Sequence, residues 1–172
     1  MRALHVLFYR PDADDRWLNK LVIAVSPPFS HCDLQLDNGM ATSIYQDESV
    51  YIERKNFTRI NYERISIALD EAEYARVVAF CEHAHRTGVV FDPVGMVLSS
   101  VPLAAPWVAA RRPADRTFCS RYLLEALQAT GRPEFTRHSP ATTTPSALYR
   151  ILKEHGKEFI HISEKRMANV FK

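Results

Sequence analysis

At 172 residues, 47% hydrophobic and 24% charged, the chain has the length and composition of one folded domain, which excludes a disordered or low-complexity polymer. A domain of this size buries about 70% of its unfolded-state surface, so residues 1–172 are expected to share a single core. The formal net charge is only +2 and the basic residues are dispersed, which provides no concentrated field for a nucleic-acid partner.

Three cysteines, Cys32, Cys81 and Cys119, are an odd and small number without paired metal-ligand spacing, so neither a disulfide framework nor a zinc site is expected. A reducing compartment follows. The opening MRALHVLFYRPDADDR has a short apolar run followed by acidic residues and lacks the long apolar region of a secretion leader, which predicts a cytoplasmic or otherwise intracellular protein. The most hydrophobic stretch, Val94 to Ala110, is interrupted by Ser99, Ser100, Pro102 and Pro106 and is too short to span a membrane.

In chain order, Arg2 to Tyr9 reads as a strand, and Arg16 to Ala24 as a short helix with Trp17, Leu18, Leu21 and Val22 on one stripe, ended by Pro27 and Pro28. His31 to Leu36 and Ala41 to Gln46 read as two strands joined at Asp37-Asn38-Gly39, where Asn-Gly supplies the positive φ angles of a tight hairpin. Val50 to Arg54 and Arg64 to Leu69 complete an antiparallel sheet. Asp70 with Glu73 forms a capping-box pattern ahead of a helix bearing Tyr74, Val77, Val78 and Cys81, which runs to Gly88 and makes Cys81 a core residue. Phe91-Asp92-Pro93 reads as a turn before a buried helix and a crossing loop that extends to Pro113. Cys119 to Thr130 is a helix with Tyr122, Leu123, Ala126 and Leu127 on one stripe, stopped by Gly131. Thr144 as N-cap and Pro145 at the first helical position begin another helix through Leu148, Ile151 and Leu152 to Gly156, ahead of a short strand and a charged tail.

Two of these positions can carry chemistry. A helix start favours a thiolate through unpaired N–H groups and the helix dipole, and Cys119 falls there. The same N–H groups, with a backbone donor from Ser120, can stabilise an oxyanion. A nucleophilic cysteine needs a base, normally histidine. Among seven histidines, His31 opens a strand directly after Ser26-Pro27-Pro28-Phe29-Ser30. Alternation puts it on one face with Asp33 and Gln35, toward a polar cleft that Ser30 borders, and sends Cys32 into the core. Metal binding by His31, Cys32 and Cys119 is disfavoured, because adjacent strand residues face opposite ways.

Ser30-His31-Cys32-Asp33-Leu34, the Asp37-Asn38-Gly39 hairpin, Phe91-Asp92-Pro93-Val94-Gly95, Phe118-Cys119-Ser120 and the Thr144-Pro145 helix together resemble the circularly permuted NlpC-type papain-like proteins. That superfamily includes lecithin:retinol acyltransferase-like enzymes, and the resemblance covers Ser26 to Leu152. It implies an α+β fold in which an antiparallel sheet or barrel packs against helices, with histidine first and cysteine second in the chain. It also implies an acyl-enzyme on Cys119, with His31 as base and no metal or organic cofactor. Substrates would be peptide, isopeptide or lipid acyl groups, and residues 96–112 could meet a membrane surface. A non-catalytic binding or structural accessory module, including a virus-encoded one, is the alternative.

The third residue of such a site, which orients the imidazole, is less evident. Ser43 stands where acyltransferase-like relatives carry a second histidine, and Gln46 close to where permuted hydrolase relatives carry an acid. Both are ranked ahead of Asp33, since positions across a hairpin are the more natural partners.

Overall fold

A computed structural model describes residues 1–12, 17–57, 61–99, 101 and 113–154. Five strands form an antiparallel sheet: β1 (Arg2–Tyr9), β2 (His31–Gln35), β3 (Met40–Ser43), β4 (Tyr51–Arg54) and β5 (Tyr62–Leu69), in the spatial order β4-β3-β2-β1-β5. The central position of β1 follows from its alternation. Leu4, Val6 and Phe8 have no exposed surface, and their register partners Ile67, Ile65, Leu34 and Cys32 extend the same apolar face across three strands. The hairpin between β2 and β3 has a three-residue loop. Gly39 N donates to Leu36 O at 3.0 Å and Leu36 N to Met40 O at 2.8 Å. Positive φ is confined to Gly39, at 80°, and Asn38 instead accepts from Met40 N through its side chain at 2.9 Å. The expected left-handed Asn-Gly pair is thus replaced by a turn needing one such residue.

Helices cover the apolar face. In α2 (Glu71–Arg86), Asp70 accepts from Glu73 N at 2.7 Å while the Glu73 carboxylate accepts from Asp70 N at 3.0 Å, the capping box expected from the sequence. Glu73 is also gripped by Arg132 at 2.7 Å. Cys81 is fully buried on this helix. The helix α4 (Cys119–Gln128) lies deepest, with Tyr122, Leu123, Leu124, Ala126 and Leu127 all at or below 1% exposure. Its neighbours are the short α5 (Pro133–Thr136), a 3-10 turn at Pro140–Thr142 and α6 (Pro145–Glu154), where Thr144 caps by accepting from Ala147 N at 3.2 Å.

Two helices depart from expectation, and in the one expected to be buried after the Phe91-Asp92-Pro93 turn, Gly95 and Met96 are buried but Val94 and Val97 are exposed. Helix α1 (Trp17–Val25) forms, but its stripe is not a core face: Val22 is buried, whereas Trp17 is 68% exposed and Leu21 is also exposed. The turn before α3 (Pro93–Ser99) is built around Asp92, whose Oδ1 accepts from Gly95 N at 2.9 Å. A Cβ at position 95 would lie 2.3 Å from Asp92 Oδ2, so the Asp-Pro-Val-Gly order is one capping device. A parallel pair of β6 (Val90–Phe91) and β7 (Arg116–Thr117), not legible in the sequence, carries this turn to the start of α4. The crossing loop at 102–112 with its membrane reading, the helix stop at Gly156 and the tail from 155 lie outside the described residues. The fold class is α+β, and among the described residues no helix is long and apolar enough to cross a membrane.

Candidate active site

Cys119 is the first residue of α4, and Phe118 before it is extended and provides no side-chain cap. The sulfur thus stands at the positive end of a helix. That end is anchored twice. The Ser120 hydroxyl donates to Thr143 O at 2.7 Å, and one turn on, the Tyr122 and Thr42 hydroxyls are hydrogen-bonded at 2.7 Å. Ser120, expected as an oxyanion donor through its backbone, uses its side chain as this anchor.

His31 opens β2, and the loop before it is held by the start of α6. Ser146 Oγ donates to Ser26 O at 2.7 Å and accepts from Phe29 N at 3.1 Å, while the Ser26 and Thr144 hydroxyls lie 2.6 Å apart. Residues 143–146 therefore tie the loop of His31 to the helix of Cys119. Cys32 and His31 both lie close enough to Cys119 to bear on its ionisation.

Behind the imidazole stands Asp33. His31 Nε2 is 3.3 Å from Asp33 Oδ2, an ion-pair contact that does not meet the geometry of a hydrogen bond. Asp33 has no exposed surface. Its Oδ1 accepts from the Tyr51 hydroxyl and lies 3.5 Å from Lys55 Nζ. The His31 ring stacks on Tyr45 at 4.4 Å and 19°.

The ionisation of these groups follows from their surroundings. Burial disfavours the charged form of His31, but the Asp33 carboxylate and Cys119 outweigh it and raise its pKa to about 10. Burial likewise opposes the Asp33 carboxylate, yet His31, Lys55 and the Tyr51 hydroxyl hold it below the ordinary value. At Cys119, a hydrogen bond from the Cys32 thiol, against the cost of burial and aided by His31, brings the pKa well below its ordinary value. Burial pushes Cys32 well above that value and raises Cys81 to about 12. The three cysteines are thereby differentiated: the surroundings favour the thiolate at Cys119 and the thiol at Cys32 and Cys81.

A cavity of about 360 Å³ opens onto this pair. Val22, Ile44, Phe91 and Met96 form apolar wall, while Asn19, Ser30, Gln46 and Glu48 contribute polar groups. The Ser30 hydroxyl is buried without a hydrogen-bond partner among the described residues. A thiolate, an imidazolium and a cleft together can form and break a thioester.

The structure brings Cys119, His31, Asp33 and Ser30 together and, of the three candidates for the third residue, sets Asp33 against the His31 ring. Ser43 is buried with its hydroxyl donating to Cys32 O at 2.7 Å, so it serves the sheet backbone, and Gln46 stands on the cavity wall. Asp33 prevails geometrically because strand alternation sets it two residues from His31 on the same face, where the ring meets it. Tyr45, Tyr51 and Lys55 were not singled out in the sequence. The available signal was Asp33 itself, a carboxylate between Cys32 and Leu34 in a buried strand, which requires a cation and donors from elsewhere. Comparison with protein-family models, with curated proteins and with solved structures returns no match.

Proposed function

We propose that the chain is a cysteine-dependent hydrolase or acyltransferase of permuted papain-like, NlpC-type architecture, acting on an amide, ester or thioester. The observation that carries this reading is the buried row Cys119, His31, Asp33 at a helix start, facing a cavity. Cys119 Sγ attacks the carbonyl carbon, and the His31 imidazolium gives its proton to the leaving nitrogen, oxygen or sulfur, which leaves a thioester on Cys119. His31, now neutral, takes a proton from water or another acceptor as that nucleophile attacks the thioester, and the thiolate and imidazolium are restored. Asp33 orients the ring and stabilises its charge throughout. First-turn N–H groups of α4 are suited to the oxyanion.

The test is to incubate the protein with a panel of amide, ester and thioester substrates, quench in acid and search for an acyl adduct by mass spectrometry. An adduct on Cys119 that is lost in Cys119→Ala and reduced at least about a hundredfold in His31→Ala is expected. Absence of any adduct, with Cys119 no more reactive than Cys32, would instead assign the fold to a non-catalytic binding module.

A further inference from the structure

Lys55 follows β4 and is only 21% exposed in its side chain, with its ammonium committed to a set of contacts around the imidazole. Its Nζ lies 2.8 Å from the Tyr45 hydroxyl, 2.7 Å from the Tyr51 hydroxyl and 3.5 Å from Asp33 Oδ1. It also stands 4.3 Å and 4.1 Å from the Tyr45 and Tyr51 ring centroids. The two rings are parallel within 9° at 5.6 Å, and Tyr45 is the ring stacked on His31. A lysine so held gives up most of its rotamer freedom, which is unusual for a side chain that can reach water.

We propose that Lys55 is a positioning residue for the Cys119–His31 pair, completing a buried row of alternating charge and clamping Tyr45 over the imidazole. The inference rests on the hydrolase or acyltransferase reading above. The row runs thiolate, imidazolium, carboxylate, ammonium, with no net charge. Without the ammonium, the resting thiolate would leave the site net negative, and the least costly relief is a proton on Cys119. Lys55 therefore favours the thiolate through Asp33 and His31, without touching it. Among the described residues, the other titratable groups facing this row are the Cys32 thiol from β2, the hydroxyls of Tyr9, Tyr45, Tyr51 and Tyr62, and Glu48 on the cavity wall. Glu53, 55% exposed in its side chain and 3.7 Å from Lys55 Nζ, lies on the solvent side, where its pull on the ammonium is screened.

The experiment measures the rate of Cys119 alkylation by iodoacetamide against pH in the full-length protein and in Lys55→Met, Lys55→Gln, Lys55→Arg and Glu53→Gln. In Lys55→Met and Lys55→Gln the acid limb is expected to move to higher pH, with about a threefold or greater loss of rate at mildly acidic pH and convergence with wild type at alkaline pH. Lys55→Arg restores the wild-type limb, and Glu53→Gln leaves it in place. Lys55→Gln keeps donors for the two tyrosines, so it decides the matter if Lys55→Met does not fold. Limbs that coincide in wild type and both neutral variants overturn the role of Lys55 while leaving the Cys119–His31 pair intact. A wild-type rate that rises in a single limb near 9.0, the ordinary cysteine value, overturns the pair itself, and the role of Lys55 with it.

Discussion

Asp33 and Ser43 separate a charge partner from a sheet bond. Asp33→Asn removes the carboxylate that faces His31 and Lys55, leaving the row with an excess cation, and is expected to destabilise the protein by about 3–5 kcal/mol and to shift the pH profile of Cys119 alkylation. Ser43→Ala leaves the Cys32 carbonyl without its donor, which costs about 1–2 kcal/mol but leaves the pH profile of alkylation unchanged. Urea unfolding together with iodoacetamide kinetics on both variants checks the pair of outcomes. A profile that shifts in Ser43→Ala and holds in Asp33→Asn would return the orienting role to the hairpin strand. Cys119 and His31 were legible because a helix start and a strand start are local patterns. The choice of Asp33 was not, since alternation says which face a side chain takes but not which way the neighbouring ring turns. Tyr51 and Lys55 reach Asp33, and Tyr45 reaches the His31 ring, across pairings that no local pattern records.

At the scale of elements, the short motifs that carried the resemblance are joints. Asp92-Pro93-Val94-Gly95 closes a helix cap so tightly that Gly95→Ala drives a Cβ into the Asp92 carboxylate, for an expected loss of about 1–3 kcal/mol. In an Asp92→Ala background the same substitution should cost little more than zero, and a double-mutant cycle by urea unfolding measures the difference. Equal costs in both backgrounds would refute the clash. Strands β1, β2 and β5, the capping box of α2 and the start of α6 were readable because each is written within a few residues. The exposed stripe of α1 was not: Trp17, Leu21 and Val22 satisfy helical spacing whether or not another element arrives to cover them. The parallel pairing of β6 with β7 depends on two strands of two residues each, too short to leave a periodicity.

Across the whole molecule, the buried pair makes a distinctive mark on stability as a function of pH. Below pH 6.5, the ordinary histidine value, both states carry a protonated histidine, and stability rises with pH over the range in which the folded chain has already lost the Cys119 proton that the unfolded chain keeps. Between 6.5 and 9.0, the ordinary cysteine value, the unfolded chain holds imidazole and thiol, and the folded chain, wherever Cys119 has lost its proton, holds imidazolium and thiolate. The proton counts are equal, and the pair contributes no slope. Above 9.0 the folded chain retains the His31 proton up to about 10, and stability falls as pH rises. Asp33, lowered from 3.8, adds stability above that value that is lost on acidification. Cys119→Ala removes the compensating proton and should turn the plateau into a decline that begins near 6.5, as read from urea midpoints across pH. A wild-type decline beginning at that same pH would mean that Cys119 stays protonated.

The most direct measurement is a limiting dose of iodoacetamide on the native protein at neutral pH, with the labelled cysteine mapped by mass spectrometry. Selective labelling of Cys119, lost in His31→Ala, is the expected result, since burial keeps Cys32 and Cys81 protonated. Slow labelling of all three cysteines at similar rates, indifferent to His31, would contradict a thiolate and imidazolium pair at the head of α4.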